Sequence, residues 1–487
     1  AESGRPVPGF GFDGVVDLKQ ENDQQIDPTT GEVGLHATPI VADDVVIVGA
    51  AHRTGGNPRS RANVKGYVRG YDARTGERLW IFHTIPRPGQ VGRETWLSDS
   101  AVYTGNTGVW GQISVDVELG LVYLPIEAAT GDYFGANRPG DNLFAESIVC
   151  LDARTGRRVW HFQAVHHGIW DYDFPAAPNV VDITVDGRVI KAVAAVSKQA
   201  FTYVFDRETG EPVWPIEERP VPPGNVPGEW YASTQPFPTK PLAYDLQGFT
   251  LDDLIEFTPE LRQEAFEIVS QYRLGPIFTP PSLIDAEDGT KGTIQVPNQT
   301  GGTNWTGATV DPETGVLFVP SYTSPSLRAL TNDPTVSDMD FIDAGRIRGP
   351  RGLPIVRPPW GRITAIDLNS GEHVWMVPNG DGPRDHEALQ GLDLPRLGAP
   401  GRPAPLLTKT LLFIGEGSPS MLAMPRLAGG NMFRAYDKDT GEVLWETELQ
   451  AGTAGAPMTY MADGKQYIVV GIGEANRPAE FIALSLP

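Results

Sequence analysis

One phrase recurs along this chain: "YDARTGERLW" (71–80), "LDARTGRRVW" (151–160), "FDRETGEPVW" (205–214), "IDLNSGEHVW" (366–375) and "YDKDTGEVLW" (436–445). Each has an Asp, a Gly four residues on and a Trp four residues after that, as in Asp72, Gly76 and Trp80. The pattern is a hairpin: an apolar strand ends at Asp, whose carboxylate caps the turn. Gly takes the positive φ the turn needs, and the return strand sets Trp on a buried face. Two weaker copies, "VDPETG" from Val310 and "VDVELG" from Val115, keep the turn and lose the Trp. A repeated small sheet cannot bury its own faces, so its copies stack radially into a β-propeller. The expected fold is therefore all-β, with about six blades in one propeller domain over 1–487, and 55 Gly and 44 Pro suit so many turns.

The strong copies lie 80, 54, 161 and 70 residues apart, which leaves room for degenerate blades and excursions. One excursion, 215–290, opens Pro-rich and then reads "TPELRQEAFEIVSQYRLG". Thr258 as N-cap, Pro259 at the first helical position and Gly275 just past the end predict a helix there. The opening "AESGRPVPGFG" fits the repeat from its third position, so the chain is expected to begin inside a blade's last turn, as a fragment or processed chain. "GKQYIVVGIG" and "AEFIALSLP" read as the closing strands.

A net charge of −22 disfavours nucleic acid and anionic membrane as partners. The single cysteine, Cys150, excludes an intrachain disulfide, and no C-x-x-C-H motif for covalent haem is present. No run of 18 apolar residues occurs, so no transmembrane helix is expected.

"HHGIWDYDFP" (166–175) sets two aspartates among aromatics. On the residues alone, Asp171 reads as a blade-corner aspartate or as a partly desolvated base kept ionised by a nearby cation. Lys198 interrupts the apolar run "AVAAVSKQAFTYVFD", either as an edge-strand lysine that snorkels to water or as a site cation. Trp110 is one of 11 tryptophans and reads equally as core. Asn304 and Trp305 sit in "GGTNWTG", a Gly-rich propeller loop or a contact point.

The repeats, with "VKGYVRGYD", "RPGDNLFAESIVCLDARTG", "VHHGIWDYDFPAAP" and "GGTNWTGATVDPETG" in order, resemble the quinoprotein dehydrogenases. These are eight-bladed propellers with tryptophan-docking motifs that use pyrroloquinoline quinone (PQQ). "LGLVYLP" and "HHGIWDYDFPA" are most similar to the membrane-bound glucose dehydrogenase-like subgroup, and the resemblance implies one to two missing N-terminal blades. It also implies oxidation of an alcohol or sugar hydroxyl, with hydride passing to the quinone and a divalent ion, Ca²⁺ (or Mg²⁺), as Lewis acid. Asp171 then matches the base and a metal ligand, with Asp173 the weaker choice. Lys198 matches the cation at the quinone oxygens, Trp110 the stacking floor, Asn304 and Trp305 further cofactor contacts, and Thr130 a metal ligand. His166 and His167 recur in the pattern and are given no chemistry. The resemblance further implies a quinone or cytochrome as electron acceptor and a periplasmic location.

Two positions depart from the alcohol-oxidising branch: Arg61 stands where a Glu ligand is expected, and Ala128 near an expected Asn. The vicinal cysteine pair of that branch cannot form. Specificity is expected in the loops 40–65, 130–145, 215–290 and 325–360. A non-catalytic scaffold of the same repeat type is the alternative; it needs the tryptophans but not a carboxylate and a lysine converging on the channel.

Overall fold

The computed structural model describes residues 4–29, 31, 33–34, 37–50, 56–417, 429–474 and 477–486. Six antiparallel meanders follow one another among them. Blade 1 comprises Ile40–Ala42, Val45–Val48, Val68–Asp72 and Arg78–Phe82; blade 2 comprises Ser114–Asp116, Leu121–Pro125, Ser147–Asp152 and Arg158–Gln163. Blade 3 has three strands, Asn179–Val185, Arg188–Val196 and Thr202–Asp206. Its fourth is reduced to a single bridge between Phe205 and Pro212, because proline has no N–H to continue a ladder. Blade 4 comprises Thr309–Val310, Val316–Tyr322, Gly361–Asp367 and Glu372–Pro378. Blade 5 comprises Leu406–Leu407, Leu411–Gly415, Met432–Asp437 and Val443–Glu448, and blade 6 Met458–Ala462, Lys465–Glu474 and Arg477–Ser485. Central strands such as Leu121–Pro125 are buried on both faces, as sheets sandwiched between neighbours must be.

The repeat acts between blades. Asp72 and Asp152 each accept the two N–H groups two and three residues on, forming the predicted turn. The tryptophan, however, docks on the turn of the next blade. Trp80 Nε1 donates to Ala153 O (3.0 Å), Trp160 Nε1 to Arg207 O (3.1 Å) and Trp375 Nε1 to Lys438 O (3.1 Å). In each case the acceptor is the residue after the next motif's Asp. Gly156 shows why the turn needs glycine: φ is +67°, and a Cβ would come 2.5 Å from the Trp80 ring. The weak copies are not reduced outer hairpins. Asp116–Gly120 and Asp311–Gly315 join the first and second strands of blades 2 and 4, and the strand that follows is buried on both sides, where aliphatic residues pack.

At blade 1 the turn is covered by the N-terminal segment, with Gly11 N donating to Thr75 O. The blade turn expected at the start involves Ala1–Ser3, which lie outside the described residues. The excursion after blade 3 holds a hairpin, Ile216–Pro220 with Thr234–Pro238, and the helix Pro259–Val269. Thr258 caps that helix through Leu261 N, as predicted. The helix ends at Ser270, five residues before Gly275, because Gln271 and Arg273 turn their backbone groups to Lys291, Gly292 and Ile294 instead. A second excursion, between Tyr322 and Gly361 of blade 4, packs with the first around Phe249, Leu261, Leu327 and Trp360.

Candidate active site

Three loops meet at one end of blades 2 and 3. They are 126–138, which follows the second strand of blade 2; 166–175, between the blades; and the turn Ser197–Phe201 within blade 3. That turn is closed by Ser197 N to Phe201 O (3.1 Å), and Lys198 N donates to Asp173 O (3.2 Å). The apolar run around Lys198 therefore lies in a buried strand pair, with the lysine at its turn. The side chain does not snorkel outward. Lys198 Nζ lies 2.6 Å from Asp171 Oδ1 and 2.7 Å from Asp173 Oδ2, and 5.7 Å from the Trp110 ring centroid.

The two aspartates are not equivalent. Asp173 is saturated: Oδ1 accepts Ala128 N (2.6 Å), and Oδ2 accepts Lys198 Nζ and Trp110 Nε1 (3.1 Å). Asp171 spends only Oδ1, on Lys198, and its side chain is 18% exposed against 5% for Asp173. Its backbone is left-handed, φ +60°, a conformation that costs a non-glycine residue.

Burial dominates the electrostatics. It holds the Asp171 carboxyl well above the usual range; Lys198 opposes this, and Asp173 and Asp132 add to it. Burial alone would lower the Lys198 ammonium, but the two aspartates more than reverse it. Asp132 is pushed up to about 7 by burial and then by Asp173. Glu146 is pushed up to about 8 by burial, then by Asp173; its Oε1 accepts Tyr172 N (3.0 Å) and its Oε2 has no partner. Neither Asp132 nor Glu146 was singled out by sequence. The available signals were an acid two residues past Thr130 and an acid opening the apolar strand "SIVCLD".

The other expected residues are placed less centrally. Thr130 Oγ1 donates to Asn106 Oδ1 (3.1 Å). Arg138, fully buried, donates to Thr130 O, Gly131 O and Gly168 O (3.0, 2.9 and 2.6 Å) and so ties the Thr130 loop to the Asp171 segment. Asn304 spends its amide on its own loop, Nδ2 to Thr300 O and Oδ1 from Trp305 N. That loop still abuts the cluster, since a Cβ on Gly301 would come 2.7 Å from Lys198 Cα. Trp305 is 37% exposed. Arg61 is on the surface, its backbone N donating to Asp338 and its guanidinium over Tyr103. Ala128 contributes no side-chain oxygen but gives its N–H to Asp173. Among the described residues, no three His, Cys, Asp or Glu side chains converge as a metal cage. His166 pairs with Glu218 and His167 with Glu229.

A propeller docked by tryptophans, with a buried lysine–dicarboxylate cluster beside an aromatic ring, is the class that fold and site define. Residues 1–468 match the family described as "PQQ: Glucose/ethanol/alcohol dehydrogenase, beta-propeller domain", and the chain belongs to it. It is 32% identical to the quinoprotein glucose dehydrogenase of Escherichia coli (strain K12), over 97% of this chain and 59% of that protein. It is also 32% identical to the quinoprotein glucose dehydrogenase of Gluconobacter oxydans (strain 621H), over 98% and 60%. The glycerol dehydrogenase large subunit of Gluconobacter oxydans (strain 621H) is 30% identical, over 97% and 65%. The chain thus spans about three fifths of the length of these relatives. The fold is similar to that of the quinohemoprotein alcohol dehydrogenase from Comamonas testosteroni: TM-score 0.61, 22% identity, 91% of this chain and 57% of that one. A europium-containing methanol dehydrogenase gives 0.59 at 22% identity, over 90% and 65%.

Proposed function

We propose that this chain is the PQQ-binding propeller of a dehydrogenase that oxidises an alcohol or sugar hydroxyl, with Asp171 as base. The observation that carries the reading is the inequality of the two aspartates: Asp173 is saturated, whereas Asp171 keeps Oδ2 free. When bound, PQQ supplies a two-electron acceptor that no side chain offers, and a divalent ion beside it supplies a Lewis acid. The residues present fit such a group. Trp110 is a half-buried ring held in place by its Nε1 bond to Asp173, suited to be a flat floor. Lys198 is a buried cation fixed from both sides, suited to face quinone oxygens. Asn304 and Trp305 line a loop packed on Lys198 and would complete the contacts.

For the metal, Asp171 and Thr130 offer oxygen only, which suits a hard ion such as Ca²⁺ or Mg²⁺. A cation there also answers the main obstacle to Asp171 as base. Burial raises its carboxyl, and a neighbouring positive charge favours the ionised form. Asp171 then takes the substrate hydroxyl proton at Oδ2 while Asp173 keeps Lys198 in register. The homology to glucose and glycerol dehydrogenases supports a polyol or sugar as substrate. A quinone or cytochrome acceptor and a periplasmic location are part of the same proposal.

The test is reconstitution of the full protein with PQQ and Ca²⁺ or Mg²⁺, followed by dye-linked oxidation of a panel of sugars and alcohols. Asp171→Asn should retain PQQ, read by tryptophan quenching, and lose at least about a hundredfold in rate. An Asp171→Asn enzyme of normal rate would remove Asp171 from the chemistry. Failure of PQQ to bind would favour a scaffold.

A further inference from the structure

We infer that Glu229, at the tip of the hairpin that follows blade 3, is a positioning residue that locks together the two loops carrying Asp171 and Thr130. This rests on the functional reading above and deepens it. Glu229 lies between Pro220 and Thr234, the inner ends of the hairpin strands, and its side chain is only 2% exposed. A carboxylate carried so deep from a loop tip must be fully bonded to be tolerated. Its Oε1 accepts Trp230 N (2.8 Å) and faces His167 Nε2 (3.1 Å), and its Oε2 accepts Gly135 N (2.6 Å).

The partners show what the bond accomplishes. His167 stands four residues before Asp171, and Gly135 five residues after Thr130. One carboxylate therefore clamps both loops. The His167 ring has no freedom of its own. Nδ1 lies 2.9 Å from Gly140 O, an oxygen that can only accept, so Nδ1 carries hydrogen. Nε2 faces Glu229 Oε1, so both ring nitrogens are engaged and the ring plane is fixed. Trp230 packs edge-on against it at 4.8 Å. There is no slack on the other side, since a Cβ on Gly135 would come 2.6 Å from His167 Nε2 and 3.3 Å from the Arg138 guanidinium carbon. The neighbouring strand of the hairpin adds Gln235, which exchanges two hydrogen bonds with the His166 backbone.

The hairpin also shapes the wall of the site. Val226, three residues before Glu229, packs with Tyr133, Phe134, Leu330 and Met339, and Tyr133 follows Asp132 in the Thr130 loop. Losing the Glu229 carboxylate would orphan Gly135 N and His167 Nε2 and let the two loops shift independently. Lys198, Asp173 and Trp110 do not touch Glu229, so cofactor affinity should survive while alignment of the base does not.

The experiment compares wild type with Glu229→Gln and Glu229→Asp in the full protein. Histidine-selective ¹⁵N spectra of the wild type and Glu229→Gln should differ at the His167 ring nitrogens, because Nε2 loses its carboxylate partner. With PQQ loaded, Glu229→Gln should keep its cofactor Kd within about threefold and lose about tenfold or more in kcat, with partial rescue in Glu229→Asp. His167 ring signals unmoved in Glu229→Gln, or a kcat unchanged there, overturn the inference. If PQQ fails to bind the wild type, the functional reading falls instead, and the histidine spectra alone decide whether the clamp exists.

Discussion

At the scale of single residues, the site is a surplus of buried acid over buried base. Lys198 is the cation that two aspartates share directly. Replacing it, as in Lys198→Met, should cost about 3–5 kcal/mol near neutral pH, because two carboxylates lose their counter-charge. The loss should shrink as pH falls and Asp171, whose carboxyl burial raises, takes up a proton. Denaturant unfolding at several pH values measures both. Glu146 titrates in the opposite context. Its folded pKa, about 8, is raised above the ordinary glutamate value. The folded state therefore binds the proton more tightly than the unfolded chain does, and stability is lost as pH rises towards 8. Glu146→Gln should flatten this fall, with a gain on the order of a few kcal/mol at pH 8 and little at pH 5. Sequence showed Asp171, Lys198 and Trp110 as a set only through family likeness. It could not distinguish Asp171 from Asp173, because which carboxylate has a free oxygen depends on Ala128 N, a backbone group 45 residues away.

At the scale of elements, the Asp–Gly–Trp hairpin is a joint between blades. Trp80, Trp160 and Trp375 each lie on the following turn and donate to its carbonyl. Gly156→Ala should therefore be costly, about 2–3 kcal/mol, since it meets both the left-handed backbone and the Trp80 ring. Trp80→Phe, which removes one buried hydrogen bond and some packing, should cost about 1–2 kcal/mol. Thermal unfolding reads both. The periodicity gave the hairpin, its cap and its glycine from sequence. The partner of each tryptophan is not in the local pattern, since Trp80 and Ala153 are 73 residues apart. The helix after Thr258 began where its cap predicted, but ended early because a neighbouring segment claimed its last carbonyls and amides. Stop signals are weaker than start signals where tertiary partners compete.

At the scale of the whole molecule, the blades form a fan in which each leans on the next. Blade 6 carries exposed apolar residues, with Phe481 85%, Met461 65% and Met458 53% exposed, and Trp445 of blade 5 is 43% exposed. A protein of these 487 residues alone should self-associate through this face despite its net charge of −22. Phe481→Ser with Met461→Ser should reduce the association seen by sedimentation velocity; unchanged sedimentation would exclude this face. The sequence by itself determined the repeat, the all-β propeller and the family, because turn chemistry and the spacing of Asp, Gly and Trp are local. It also placed the candidate residues on particular loops. Only the tertiary structure decided which of them meet. The cluster joins positions 110, 128, 171, 173 and 198, and Glu229, from an excursion outside the repeat altogether, bonds the two loops that flank it. Burial raises the Asp171 carboxyl and the lysine it shares with Asp173 opposes this, and these are properties of a three-dimensional neighbourhood that no window of sequence contains.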